Sequence, residues 1–599
     1  MQKVTILAAA AGFCALMQTA AQAALNYDDI QTVVVIYAEN RSFDNLFGTF
    51  PGANGLAKAS ATSVTQLDRN GSTLSGLPAI WGGMTGGVLA GAPLAPVLLS
   101  ETQTGTYLNT FNHPFDIAAL YASVTPENMR PLLYTTRDLY HRFYENQMQI
   151  NSGANNAFAA WADSGGLVMG YYGNTTSDHP LWALAQKFTL ADNFFQPAFG
   201  SSYLNHQFLI CACAPYYPDN GDSSNPQPFN PWTQQATVYN GQAAANNSTA
   251  PAPSVLNANT TSLATKSTSP PSALAGPPQF VNSSVITPYV AVNGTSHFWS
   301  VNTSQPPWLP SGNADGPADA PQSSVNTKNT STLPPQTQTT IGDLLTNAGV
   351  NFAYYAGAFA WAESHAPYAA GTSKANPNFQ YHHQPFNYFE RFDPSRPAGQ
   401  KLDFNPNPTY VATTDPIYAN SGAAERAAHL KDGGVATPTD IANQTLPASD
   451  LKTDITNGTL PPVTFYKPQG TVNEHPGYAN VTDGDQHIAA VVAALQASPQ
   501  WPHMLIIVTY DEFGGQWDHV APPKGDYFGP GTRIPAIIIS PYAKQGYIDH
   551  TQYDTTSVLR FITNKWNLPK LPGITLRDTS LVANGNPAMG DLTNALDLR

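Results

Sequence analysis

An α/β fold, with a central, mostly parallel sheet flanked by helices, is predicted by two observations. Three stretches, T-V-V-V-I-Y-A (Thr32–Ala38), H-M-L-I-I-V-T-Y (His503–Tyr510) and R-I-P-A-I-I-I-S (Arg533–Ser540), are short, β-rich and almost continuously apolar. That is the pattern of parallel strands buried on both faces, not of half-exposed ones. Helix-like segments alternate with strands. H-I-A-A-V-V-A-A-L-Q-A-S (His487–Ser498) reads as an amphipathic helix before the second strand, and I-G-D-L-L-T-N-A-G precedes a shorter strand, V-N-F-A-Y-Y-A (Val350–Ala356). Such alternation implies helices covering the sheet.

The chain of 599 residues exceeds the roughly 250–300 at which one core stops growing, so one elaborated domain or two is expected. Only 11% of residues are charged, against about 25% in ordinary domains. No long apolar run accompanies that low charge, which excludes a polytopic membrane protein. The net charge of −14 without basic blocks argues against nucleic-acid binding.

Residues 1–23 read as a secretory signal peptide. Lys3 supplies the positive start, Val4 to Met17 the apolar centre, and Ala21-Gln22-Ala23 the cleavage site. Cleavage after Ala23 is expected to give a periplasmic or secreted protein with no transmembrane segment in the mature chain. Cys14 leaves with the leader. Cys211 and Cys213 form a C-x-C pair that can bridge or bind metal, but one pair lacks the other ligands of a zinc site. Two small buried residues are expected there instead.

Residues 223–342 carry only four charged side chains (Lys266, Asp315, Asp319, Lys328) and are dense in Ser, Thr, Asn, Pro and Gln. They read as a loop- and β-rich insertion into one unit formed by 24–222 and 343–599. Without any of the motifs below, the insertion is expected to be dispensable for chemistry.

Chemistry concentrates where strands end. The first strand runs into A-E-N-R-S-F-D, placing Glu39 and Asn40 where open parallel sheets hold ligands. The second runs into Y-D-E-F-G-G-Q-W-D-H-V, placing Asp511 and Glu512 at the same rim. Three carboxylates there repel one another and call for a cation, and oxygen donors suit a divalent metal. The alternative for each end alone is a polar turn capping a helix. In F-G-S-S-Y-L-N-H, a serine precedes a helix over Tyr203–Cys211. It reads as an N-cap, or as a nucleophile whose alkoxide the helix N–H groups and a metal stabilise. His141, His382, His383, His475 and His519 sit beside aromatics, Pro or Gly, and a shared cleft would bring them together.

At these residues the chain resembles the bacterial secreted acid phosphatases of the phosphoesterase family. That family also contains bacterial phospholipases C and is related to the alkaline-phosphatase superfamily. The resemblance is carried by E-N-R-S-F-D (39–44), D-L-Y-H-R-F-Y-E-N-Q-M (138–148), M-G-Y-Y (169–172), F-G-S-S-Y-L-N-H (199–206), Y-H-H-Q-P-F (381–386), E-H-P (474–476) and Y-D-E-F-G-G-Q-W-D-H-V (510–520). The phospholipase branch tends to have Thr-Thr-Pro-Asn-Arg where this chain has S-Y-L-N-H, which favours the phosphatase branch. The resemblance implies an alkaline-phosphatase-like sheet and one divalent metal ion of open identity, held by Glu39, Asn40, Ser202, Asp511 and Glu512. The phosphatases more often have two Asp at the last pair. It implies Ser202 as nucleophile, with Ser201 the rival one position away, and His141, His382, His383 and His475 as active-site histidines. Asp518 and His519 match family residues without an assigned role.

The expected activity is hydrolysis of small phosphate monoesters through a phosphoserine, with histidine cations favouring an acidic optimum. The alternatives are a phospholipase C-type phosphodiesterase acting on phospholipid, and a non-catalytic secreted binding protein.

Overall fold

The computed structural model describes residues 27–84, 99–123, 131–173, 179–215, 265–280, 287–289, 298–300, 335–365, 377–403 and 409–598. The leader expected at residues 1–23 lies outside them, as does most of the 223–342 segment.

Eight strands form the central sheet. In chain order they are β1 (Thr32–Ala38), β2 (Thr189–Ala191), β3 (Phe352–Ala356), β4 (Leu430–Asp432), β5 (Val463–Lys467), β6 (Met504–Tyr510), β7 (Ala536–Ile539) and β8 (Tyr547–Asp549). Their order across the sheet is β4-β3-β5-β1-β6-β7-β2-β8. β1 pairs in parallel with β5 on one side and with β6 on the other, Val34 facing both Thr464 and Ile506. Every residue of β1 and β6 is buried, so both faces are covered, which is why these strands lack a period-two polar alternation. Burying each Val or Ile of such a strand contributes roughly 1.5–3 kcal/mol.

The strand expected to run parallel at Arg533–Ser540 is shorter and antiparallel to both neighbours, β6 and β2. The connection decides its direction. Residues 511–535 contain no helix, and a parallel return to the same sheet needs a crossover of a dozen or more residues, usually helical. A doubly buried strand reads the same in either direction.

Helices close the faces. α1 (Phe43–Phe47) follows β1, α2 (Phe143–Ile150) lies near the rim, and α3 (Pro180–Lys187) packs on α6 (Val481–Ala497). α4 (Ser202–Cys211) packs on α5 (Ile341–Asn347) and on α7 (Thr556–Lys565). Cys211 and Cys213 are buried as expected, but a disulfide joins them. Ala212 takes a left-handed conformation at the end of α4 and brings the two Cα atoms to 5.0 Å. So small a loop staples no distant segments.

Parts of the insertion belong to the body of the molecule. The Arg69 guanidinium donates to the carbonyls of Pro270, Ser272 and Gly276, and Phe280 packs on Tyr140 with ring centroids 6.2 Å apart. Within it, Thr287–Tyr289 pairs antiparallel with Phe298–Ser300. Among the described residues, no helix is long and apolar enough to cross a membrane.

Candidate active site

The C-terminal ends of β1, β5 and β6 are adjacent, so the polar residues that follow them meet at one rim. Glu39 and Asn40 leave β1, Lys467 ends β5, and Asp511 and Glu512 leave β6; all five are buried. The chain must turn sharply there. Asn40 is left-handed, with φ of 62°. Gly514 is also left-handed, and a Cβ on it would lie 2.3 Å from the Asn40 carbonyl oxygen. The two acidic loops therefore close on each other, and the Asn40 N–H donates to Asp511 Oδ1 at 3.1 Å.

α4 delivers Ser202 to this rim. Ser201 is the N-cap and Ser202 the first helical residue, so Ser202 stands at the helix end where backbone N–H groups lack intrahelical partners and the dipole is positive. Gly200, left-handed, lets the turn lie against the Arg142–Phe143 peptide, where a Cβ would come within 2.2 Å. The Ser202 hydroxyl donates to Glu512 Oε1 at 3.1 Å, and its oxygen is 3.3 Å from Asn40 Oδ1. The serine thus touches residues from both acidic strand ends.

The histidines form two groups around these acids. His383 Nε2 is 2.7 Å and His382 Nε2 3.5 Å from Glu39 Oε1. On the other side, the His141 and His475 rings are 5.7 Å apart. His475 Nε2 lies 2.9 Å from Asn40 Nδ2, and His141 Nε2 is 3.6 Å from Glu512 Oε1. Burial pushes the His141 and His475 pKa values down to about 4. Burial also pushes the Glu39 carboxyl up, but His383 and Lys467 outweigh it and hold it well below the usual range. For Asp511 and Glu512 the balance is reversed: burial raises both, and the charge of Glu39 (for Asp511) or Asp511 (for Glu512) raises them further.

The structure places all the expected ligands and histidines at this one rim: Glu39, Asn40, Ser202, Asp511, Glu512, His141, His382, His383 and His475. Four further residues join them. His206, one turn after Ser202 on α4, donates from Nδ1 to the Ser202 carbonyl at 2.7 Å and lies 3.7 Å from Asp511 Oδ2. Lys467 Nζ pairs with Glu39 Oε1 at 2.9 Å. Asn473 donates to Glu39 Oε2, as does the Tyr478 hydroxyl, the latter at 3.1 Å. The i, i+4 spacing from Ser202 was the available signal for His206, and the strand-end position in V-T-F-Y-K the signal for Lys467.

These residues fit a metal ion. Glu39, His206 and Asp511 present ligand atoms within 4.8 Å of one another, all buried. Asp511 Oδ2 and His206 Nε2 are buried without a hydrogen-bond partner, a costly state that a cation relieves. Asp518 and His519 lie elsewhere. With Asp44 they surround the Arg533 guanidinium, whose Nε reaches Asp518 Oδ1 and Nη2 reaches Asp44 Oδ1, both at 3.0 Å.

The sheet rim thus gathers a helix-borne serine, three buried acids and five histidines. The chain belongs to the phosphoesterase family, which matches residues 30–569. It is 30% identical over 175 residues to a non-hemolytic phospholipase C of Burkholderia pseudomallei, covering 24% of each chain. It is 30% identical over 174 residues to phospholipase C B of Mycobacterium tuberculosis, covering 25% of this chain and 32% of that one. The matches thus span about a quarter to a third of these relatives. A solved structure from Vibrio parahaemolyticus, described as a protein in the alkaline phosphatase superfamily, is 15% identical and covers 43% of this chain and 51% of that one. Its TM-score is 0.19.

Proposed function

We propose that the protein hydrolyses phosphate monoesters by transfer to Ser202, with one divalent metal ion at the acidic rim. The observation that carries this reading is the position of the Ser202 hydroxyl, between Glu512 and Asn40 at the first turn of α4. A bound metal ion supplies Lewis acidity, lowering the serine pKa and neutralising a phosphate oxygen. The chain's own groups do the rest. Ser202 Oγ, its proton accepted by Glu512, attacks phosphorus and forms the Oγ–P bond as the bond to the leaving oxygen breaks. His475 or His141 holds a phosphate oxygen and protonates the departing alkoxide. Water then attacks phosphorus, giving a proton back to that histidine, as the Oγ–P bond breaks; Ser202 Oγ recovers its proton from Glu512 and inorganic phosphate leaves. Asn40, fixed by His475 and by its N–H bond to Asp511, orients the phosphate.

The phospholipase C reading shares this site and is favoured by the names of the matched relatives. Among the described residues, however, only Leu274 and Val582 are exposed large hydrophobics, which supports the soluble monoester. The binding-protein reading leaves the orphaned Asp511 and His206 atoms without a purpose.

The test compares p-nitrophenyl phosphate with p-nitrophenylphosphorylcholine at several pH values, with and without chelator. The monoester should turn over faster, best in acid, and chelator should stop it. Preference for the diester would select the phospholipase reading, and no turnover of either would remove the enzyme reading.

A further inference from the structure

Glu39 Oε1 is approached by three nitrogens: His383 Nε2 at 2.7 Å, Lys467 Nζ at 2.9 Å and His382 Nε2 at 3.5 Å. Glu39, His382 and His383 are themselves a set with ligand atoms close enough to hold a metal ion, and all three are buried. One carboxylate and two imidazoles are typical ligands of zinc and similar ions. This set is distinct from the Asn40, Ser202, Asp511 and Glu512 side of the rim, although Glu39 touches both.

Lys467 is 0% exposed, the one buried lysine among the described residues. Its ammonium also donates to the Tyr37 carbonyl at 3.1 Å, so β5 and β1 hold it against Glu39. A buried ammonium is tolerated only when paired. The charges then close. Glu39, Asp511 and Glu512 bring three negative charges when ionised, Lys467 offsets one, and the remaining two match a single divalent ion.

We infer that the Lys467 ammonium stands in place of a second metal ion: it fills the Glu39–His382–His383 set, restricts the rim to one ion, and conceals a latent second metal site. Both roles follow from one geometry. The lysine meets the oxygen that the two histidines face, so it and a cation exclude each other there. This inference rests on the proposal that the Asp511 side carries a metal ion.

The experiment is metal analysis by mass spectrometry after the full chain is stripped with chelator, reloaded with zinc chloride and desalted. The wild type should retain one zinc per chain. Lys467→Met should retain two, and adding His382→Ala to that variant should return the count to one. Lys467→Arg, which keeps the cation, should stay at one. Lys467→Gln keeps a donor for Glu39 and the Tyr37 carbonyl; it serves if the methionine variant fails to fold and should also retain two. One zinc in the wild type with one in Lys467→Met or Lys467→Gln would overturn the inference alone. No zinc in the wild type would overturn the metal reading of the function and this inference with it.

Discussion

This protein holds two buried acidic clusters, and they are balanced differently. In the first, Asp44, Asp518 and His519 surround Arg533, whose Nη1 also donates to the carbonyls of Asn54 and Asp192 at 2.7 Å each. A fixed guanidinium fills the centre of this cluster and pairs with both acids, and His519 Nδ1 meets Asp44 Oδ2 at 2.6 Å, although the cluster's atoms are close enough to hold a metal. In the second, Glu39, Asp511 and Glu512 have Lys467 as their one lysine or arginine ion-pair partner among the described residues, and Asp511 Oδ2 has no hydrogen-bond partner. The difference teaches how to read buried acids. A cluster whose every acid oxygen already has a partner is scaffold, whereas one left with an unpartnered oxygen and two uncompensated charges is built for something that arrives later.

Substitutions should separate the two. Asp511→Ala should abolish measurable turnover and metal retention while leaving the chelated protein folded, because it removes repulsion from the rim. Near-wild-type turnover and metal content would contradict a shared metal rim. Arg533→Met should instead act on stability, costing about 3–5 kcal/mol because two buried acids lose their partner. Urea unfolding measures this, and a loss under about 1 kcal/mol would remove the scaffold role.

A finer effect is expected within the catalytic cluster. His475→Ala should slow esters with high-pKa leaving groups by about 100-fold, the scale of general acid catalysis, and activated aryl esters by less. An equal defect for all leaving groups would leave His475 with phosphate binding alone.

Glu390 provides a control without a salt bridge among the described residues. It accepts from the Tyr418 hydroxyl at 2.6 Å and from the Leu402 N–H at 2.5 Å, and burial pushes its pKa from 4.5 up to about 7. A carboxyl raised in the folded state stabilises fully below its unfolded pKa, and that contribution is lost as pH rises through about 7. Glu390→Gln should therefore flatten the stability profile between pH 5 and 8, by on the order of 2 kcal/mol. An unchanged slope in urea midpoints would show that burial alone does not set this group.

Much of this contrast was legible in the sequence. The apolar runs of β1 and β6 announced themselves because strands buried on both faces cannot alternate, and the acids that follow them stood out against so apolar a background. The direction of β7 was not legible, because direction is set by the connection and not by the strand. β2 and β4 were too short to signal, and β4 ends in Lys431 and Asp432, which read as loop. Lys467 was not legible because V-T-F-Y-K is too short a run to read as a strand; only the pairing of β5 beside β1 sets it against Glu39. The role of Asp518 became clear only through Arg533, fifteen residues away, which reads in sequence as the polar start of a strand.

The most direct test of the account is to trap the covalent intermediate. A labelled phosphomonoester is turned over, quenched in acid and digested, and the peptide containing F-G-S-S-Y-L-N-H is sequenced. The account predicts label on Ser202, none in Ser202→Ala, retained label in Ser201→Ala, and loss of label when chelator is present throughout. Label on Ser201, or burst-phase turnover with no labelled serine, would contradict it.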